Sequence, residues 1–239
     1  MSWKKLVRNP DQTLGWCPGC GLNSLFYVFC RVLAKLKVKP VIVSGIGCTG
    51  RGAGYFNLDS IHGLHGRAVP LAVGIKRGNP KLKVVVFSGD GDLLGIGLGH
   101  LLHAARRNEK ISVICNRNEV FGMTGGQASP TTRLGGITKT TPEGNPYPPL
   151  NIQKMLLAND RYFYARTSPV FLPHLEEVLE KALKYPGFSY VDVLSPCLVN
   201  FARRNYEKAG QVFQDLKDNY RLTKTNRRLK DNELGVTSK

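Results

Sequence analysis

At 239 residues, 42% hydrophobic and 21% charged, the chain can bury one sizeable core with at most a small appendage, the composition of a globular protein. No run reaches the roughly 18 apolar residues of a membrane span, and the basic opening "MSWKKLVRNPDQ" has no apolar stretch behind it, so a cytoplasmic protein is expected, with reduced thiols, no membrane and no disulfide framework. The 34 Lys plus Arg against 17 Asp plus Glu give a formal charge of +17, which suits an acidic protein partner; the basic residues are spread along the chain, densest near its end, without a zinc-finger or RNA-recognition motif, so no nucleic-acid partner is expected.

"WCPGCG", from Trp16, places two thiols two apart, with no second such pair in the chain. Residues 21–36 carry apolar side chains at helical spacing with basic residues at the end, which predicts a helix. "PVIVSGIG", residues 40–47, reads as a buried strand running into glycines, followed by a loop over 48–65 and a helix over 66–78. "KVVVFSGDGD", residues 83–92, is a second buried strand closed by a Gly-Asp turn; a helix through "LGHLLHAARRN" and a strand over 111–116 come next. "RYFYARTS" and "FSYVDVLSPC" read as two more strands around the helix "LPHLEEVLEKALKY", and residues 135–149, rich in Gly, Thr and Pro, as a loop. Uninterrupted Val and Ile runs between helices imply an α/β fold, a parallel sheet with helices on both faces. Residues 1–200 are expected to form this domain, and 201–239 a basic C-terminal extension made of a helix and a loose tail.

Open parallel sheets bind ligands at the carboxyl ends of their strands, here "GIGCTGR", "GDGDLLGIG" and "NRNEVFGMTGGQ". The second stretch fails as a dinucleotide fingerprint, because its glycine spacing is wrong and its carboxylates would repel a pyrophosphate unless a cation intervened. Asp90 is a candidate magnesium ligand, with backbone amides of Gly91 and Asp92 toward phosphate. One helix and one strand later, Asn118 offers a second oxygen and the Val120 carbonyl a third. Alone, Asp90 also reads as a helix cap and Asn118 as a strand end; their pairing ahead of the glycine-rich "GMTGG" favours the metal.

Gly-Asp-Gly followed by this Asn is similar to the thiamine pyrophosphate motif. With "FGMTGGQASPTT", "WCPGCG", "GIGCTGR" and "LHGRA", residues 15–197 resemble the beta subunit of a 2-oxoacid:ferredoxin oxidoreductase. The resemblance implies a thiamine pyrophosphate-binding fold, with magnesium on Asp90, Asn118 and Val120. It implies Gly47, Gly89, Gly91, Asp92, Gly122, Met123 and Thr124 around the cofactor, with Cys48, Thr49 and His65 beside it. It further implies a 4Fe-4S cluster on Cys17, Cys20, Cys48 and Cys197, the four thiolates such a cluster takes. A zinc site usually shows two Cys-x-x-Cys knuckles, and a thioredoxin-like pair leaves Cys48 and Cys197 unexplained. Cys30 and Cys115 read as buried apolar residues. One departure is Arg117, where many relatives carry Asn.

The implied reaction is oxidative decarboxylation of a 2-oxo acid with coenzyme A to acyl-CoA, carbon dioxide and reduced ferredoxin. The carboxylate that activates thiamine comes, in this family, from another polypeptide, which implies an alpha subunit, alone or with a gamma domain or subunit. "GMTGGQASPTT" is more similar to the 2-oxoglutarate and branched-chain enzymes than to the pyruvate ones. Arg51 and His65 are the candidate catalytic residues: Arg51 either pairs with a distal substrate carboxylate or is a solvated loop arginine. His62, His100, His103 and His174 carry no motif, and the helical pair His100 and His103 reads as packing. Two alternatives stay open: a non-redox thiamine decarboxylase subunit, and a basic zinc or nucleic-acid module.

Overall fold

The computed structural model describes residues 2–239. A 3-10 turn (Trp3–Leu6) leads to α1 (Gly21–Leu36), β1 (Val41–Ser44), a second 3-10 turn (Gly50–Gly54), β2 (Ser60–His62), α2 (Ala68–Gly78) and β3 (Val84–Gly89). A π turn (Gly91–Ile96) opens α3 (Leu98–Arg106), then come β4 (Ser112–Arg117), the short pair β5 (Val120–Phe121) and β6 (Gln127–Ala128), and α4 (Ile152–Leu157). The chain ends with β7 (Phe163–Thr167), α5 (Leu172–Lys184), β8 (Ser189–Leu194), a second π turn (Leu198–Ala202), α6 (Arg203–Asn205), α7 (Gln211–Asn219), β9 (Arg221–Leu222) and β10 (Glu233–Ser238).

The main sheet runs β2-β1-β3-β4-β8-β7-β10-β9. The pairings among β1, β2, β3, β4, β7 and β8 are all parallel. The apolar runs lack alternation because both faces are covered. Val85, Phe87, Ile114, Val191 and Val193 pack under α1 and α5 with Phe26, Phe29 and Leu179, while Val84, Val86, Val113 and Tyr190 pack under α2 and α3 with Leu101 and Ala104. Cys30 lies in the first core and Cys115 in the second, both fully buried as apolar residues.

The C-terminal end is not a loose tail. β10 adds antiparallel to β7, with Gly235 opposite Arg166 and Ser238 opposite Phe163, and fully buried Leu234 joins Leu194 and Leu216 in a third small core. The expected loop over 48–65 likewise holds β2, whose three residues pair with β1, and α4 was not anticipated at all. From β1 the chain runs outward to β2, whereas β3 and β4 lie on its other side. That reversal opens a crevice above the carboxyl ends of β1 and β3, the place where such sheets take ligands.

Candidate cofactor and thiol sites

Asp90 follows β3 directly and makes no side-chain cap on the π turn behind it. Instead its Oδ2 accepts the Glu119 amide and the Ser129 hydroxyl, both at 3.1 Å, and the Thr131 hydroxyl. Burial raises the Asp90 pKa from its ordinary value, while the Thr131 hydroxyl, Arg117 and Ser129 oppose the shift; a bound cation would compensate a carboxylate held this way. Across the crevice the Asn118 Oδ1 accepts the Val120 amide at 3.2 Å. Glu119 between them adopts a left-handed φ of 67°, a strained conformation for a side-chain-bearing residue. It is held by a two-pronged contact from Arg133 at 2.8 and 3.0 Å and by the Thr132 hydroxyl on its carbonyl at 2.6 Å.

Asp90, Asn118 and Val120 line one pocket of about 80 Å³ with Gly47, Cys48, Thr49, His65, Gly89, Gly91, Asp92, Gly122, Met123 and Thr124. The structure therefore gathers in one place every cofactor-side residue the sequence singled out. Their roles differ. The Asp92 carboxylate is tied up by the Gly66 and Ile46 amides at 2.7 and 3.1 Å and by the Ser88 hydroxyl at 2.8 Å, so it fastens two loops to the end of β3. His65 Nδ1 stands 3.0 Å from Asp92 Oδ1 without the alignment of a hydrogen bond. Gly45 is required beside this carboxylate, because a Cβ there would collide with it. The buried Thr49 hydroxyl has no partner. A buried hydroxyl without a partner and a buried carboxylate beside Gly47, Gly89, Gly91 and Gly122 fit a phosphate-bearing ligand with its cation.

Cys17, Cys20, Cys48 and Cys197 line a second cavity, of about 240 Å³. Three elements bring them together. Cys20 is the N-cap of α1; Cys48 follows β1, its carbonyl accepting Trp16 Nε1 at 2.6 Å; and Cys197 follows β8, its amide donating to the Asn118 carbonyl at 2.9 Å and its Sγ accepting the Asn200 amide at 3.3 Å. Burial, then the neighbouring Cys197, Cys20 and Cys17, pushes the Cys48 thiol up to about 11, and burial with the same neighbours raises Cys20. Four thiolates here need a positive core to neutralise them. Among the described residues no three His, Cys, Asp or Glu converge on one point as a single-ion site requires, and the thiols ring a cavity instead. That arrangement fits a group larger than one zinc ion.

Arg51 sits with the thiols rather than with Asp90, its Nη1 3.4 Å from the Gly15 carbonyl. Arg117 is turned the other way, onto Asp192 at 3.2 Å. His62 contacts the Ser44 hydroxyl and His174 the Thr167 hydroxyl, each at 2.9 Å. His100 and His103 are exposed on α3 and do not pack as expected. The sequence reading missed Ser129 and Thr131, whose signal was the "SPTT" after the glycines, and Asn116, Ser195 and Asn200, which had none.

A parallel sheet with a glycine-lined, carboxylate-bearing pocket at its switch point defines a class, and residues 45–193 match the family described as thiamine pyrophosphate enzyme, C-terminal TPP binding domain. The chain is 38% identical over 208 residues to the 2-oxoglutarate synthase subunit KorB of Methanocaldococcus jannaschii, covering 85% of this chain and 77% of that one. It is 41% identical over 186 residues to 2-oxoacid:ferredoxin oxidoreductase 1, subunit beta, of Aeropyrum pernix (77% of this chain, 58% of that one). It is 43% identical over 187 residues to the corresponding beta subunit of Saccharolobus solfataricus (76% and 61%). In structure it is similar to a 2-oxoglutarate:ferredoxin oxidoreductase from Magnetococcus marinus solved with 2-oxoglutarate, coenzyme A and succinyl-CoA bound, with TM-score 0.86, 29% identity, and coverage of 100% of this chain and 84% of that one. The chain belongs to the beta-subunit family of the 2-oxoacid:ferredoxin oxidoreductases. It spans about three fifths of the length of the Aeropyrum and Saccharolobus subunits. No described helix is long and apolar enough to cross a membrane.

Proposed function

We propose that this chain is the cofactor-holding half of an enzyme that oxidatively decarboxylates a 2-oxo acid, 2-oxoglutarate first among them, with coenzyme A to acyl-CoA, carbon dioxide and reduced ferredoxin. One observation carries the reading: Cys48, Asn118, Gly122 and Met123 line both cavities, so a single layer of residues separates the Asp90 pocket from the thiols. Electrons released on one side would cross only that shared layer to reach the other.

Asp90, Asn118 and the Val120 carbonyl are the oxygen ligands for magnesium, and Gly91, Gly122 and Thr124 flank the pyrophosphate. Thiamine pyrophosphate, when bound, supplies the carbon that attacks the keto group and takes up the electron pair left as carbon dioxide departs. Cys17, Cys20, Cys48 and Cys197 are assigned to the 4Fe-4S cluster that accepts these electrons singly and passes them to ferredoxin. Arg51, on the thiol side, is assigned to a carboxylate of the 2-oxo acid brought to it by the partner subunit.

An alpha subunit completes the site. The pocket of about 80 Å³ is well below the roughly 300–1,000 Å³ of an ordinary small-molecule site. Around it Leu64, Ile96 and Met123 are exposed at 76%, 59% and 46%. Apolar side chains left bare at the mouth of half a pocket suit a protein cover. Co-expression with the alpha subunit tests this: the complex should reduce ferredoxin with 2-oxoglutarate and coenzyme A, and the chain by itself should not. Activity of the isolated chain, or a complex indifferent to 2-oxo acids, would refute it.

A further inference from the structure

Two buried side chains between the cofactor pocket and the thiols have hydrogen-bonding groups with nothing to bond. Both amide atoms of Asn116 and the hydroxyl of Ser195 lack partners, although the residues are only 1% and 3% exposed. Both line the cavity ringed by Cys17, Cys20, Cys48 and Cys197. Buried polar groups are nearly always paired, so unpaired ones facing a cavity mark a partner that the chain itself does not supply.

Their placement is rigid. Asn116 is the penultimate residue of β4, where its backbone is flanked by Gly89 of β3 and Val193 of β8. Ser195 lies just past β8, its amide donating to the Arg117 carbonyl at 2.9 Å. Gly21, in the first turn of α1, makes room for the Ser195 hydroxyl, since a Cβ at that position would collide with it. Trp16, Leu22, Leu198 and Val199 supply apolar wall, and Arg51 and Asn118 also line the cavity. One sulfur already accepts a hydrogen bond there, from the Asn200 amide to Cys197 Sγ.

We propose that Asn116 Nδ2 and the Ser195 hydroxyl donate hydrogen bonds to the sulfurs of the group held by the four cysteines and so raise its reduction potential. The proposal rests on the iron-sulfur reading of those thiols. Gaining one electron increases the negative charge on sulfur, and fixed donors favour the form with more charge. Asn116 and Ser195 act through the cluster's energy and are positioning residues.

The test is an anaerobic redox titration, followed by electron paramagnetic resonance, of the reconstituted chain and of Asn116→Leu, Ser195→Ala and Ser195→Thr, with iron per chain measured on each sample. Asn116→Leu and Ser195→Ala should load iron as the parent does and titrate at more negative potentials, while Ser195→Thr, which keeps the hydroxyl, stays at the parent value. Loaded variants that titrate with the parent overturn the inference and leave the thiol assignment standing. If the parent takes up no iron and sulfide, both fall together. Should Asn116→Leu fail to fold, the Ser195 pair decides the matter, because removing one hydroxyl leaves the fold's packing intact.

Discussion

At the residue scale, the site is a set of groups whose charge or valence the chain leaves unbalanced. Asp90 is the clearest case, a carboxylate 1% exposed and held by neutral donors, the Glu119 amide and the Ser129 and Thr131 hydroxyls. Asp90→Asn keeps its shape and removes its charge. Because burial of the charge opposes folding here, the melting temperature of the variant should be unchanged or higher. Magnesium-dependent binding of thiamine pyrophosphate, measured by calorimetry, should weaken by more than about a hundredfold, beyond the loss seen when a group that only orients a metal's ligand is changed. Unaltered affinity would remove Asp90 from the metal site. Asp90 and Asn118 were legible in the sequence because a carboxylate inside a glycine turn contradicts a bare phosphate loop. Asp92, two residues on, has the same chemistry, yet its carboxylate serves as a structural anchor for the Ile46 and Gly66 amides. Nothing in the local pattern separates the two, since the difference lies in which loops come back to meet them.

At the element scale, β3 and β4 were legible because burial on both faces demands an unbroken apolar run, and α1 and α5 because one face of each is apolar. β10 was hidden, its pairing with β7 being set by residues some seventy positions earlier in the chain. Its anchor, Leu234, is fully buried. Leu234→Ala should cost about 2–5 kcal/mol in urea denaturation; a negligible cost would mean the strand does not contribute to the fold. On the surface between α1 and α5, Glu180 bonds Lys184 at 2.5 Å and Lys35 at 2.6 Å. These contacts, Lys184 foremost, lower its pKa from 4.5 to about 2. The associated stabilisation is therefore present above about pH 4.5 and is lost as pH falls toward 2. The pair is solvent-exposed and screened, so Glu180→Gln should leave the melting temperature at pH 7 almost unchanged and flatten the acid-side decline slightly. A large loss at pH 7 would contradict this.

For the whole molecule, the sequence showed a fold and two kinds of cofactor ligand, and its order along the chain could not show that they share a wall. Cys17 and Cys197 lie far apart in the sequence and meet only because α1 begins on the side of the sheet where β8 ends. The charge of +17 belongs to this scale as well: on the proposed function it should accelerate encounter with an acidic electron carrier and be screened by salt. Ferredoxin reduction by the assembled enzyme should slow as ionic strength rises from about 10 to 500 mM, across which the screening length falls from roughly 30 Å to a few ångströms. A rate independent of salt would separate the basic surface from electron transfer.

The most direct measurement is the metal content of the anaerobically purified or reconstituted chain, taken with its visible spectrum before and after reduction. About four irons per chain, with brown absorbance that bleaches on reduction, are the expected result for four thiolates around one cluster. Zinc bound tightly by these cysteines, or iron and sulfide that refuse to enter, would contradict the redox assignment and leave a thiamine pyrophosphate-binding subunit without its electron acceptor.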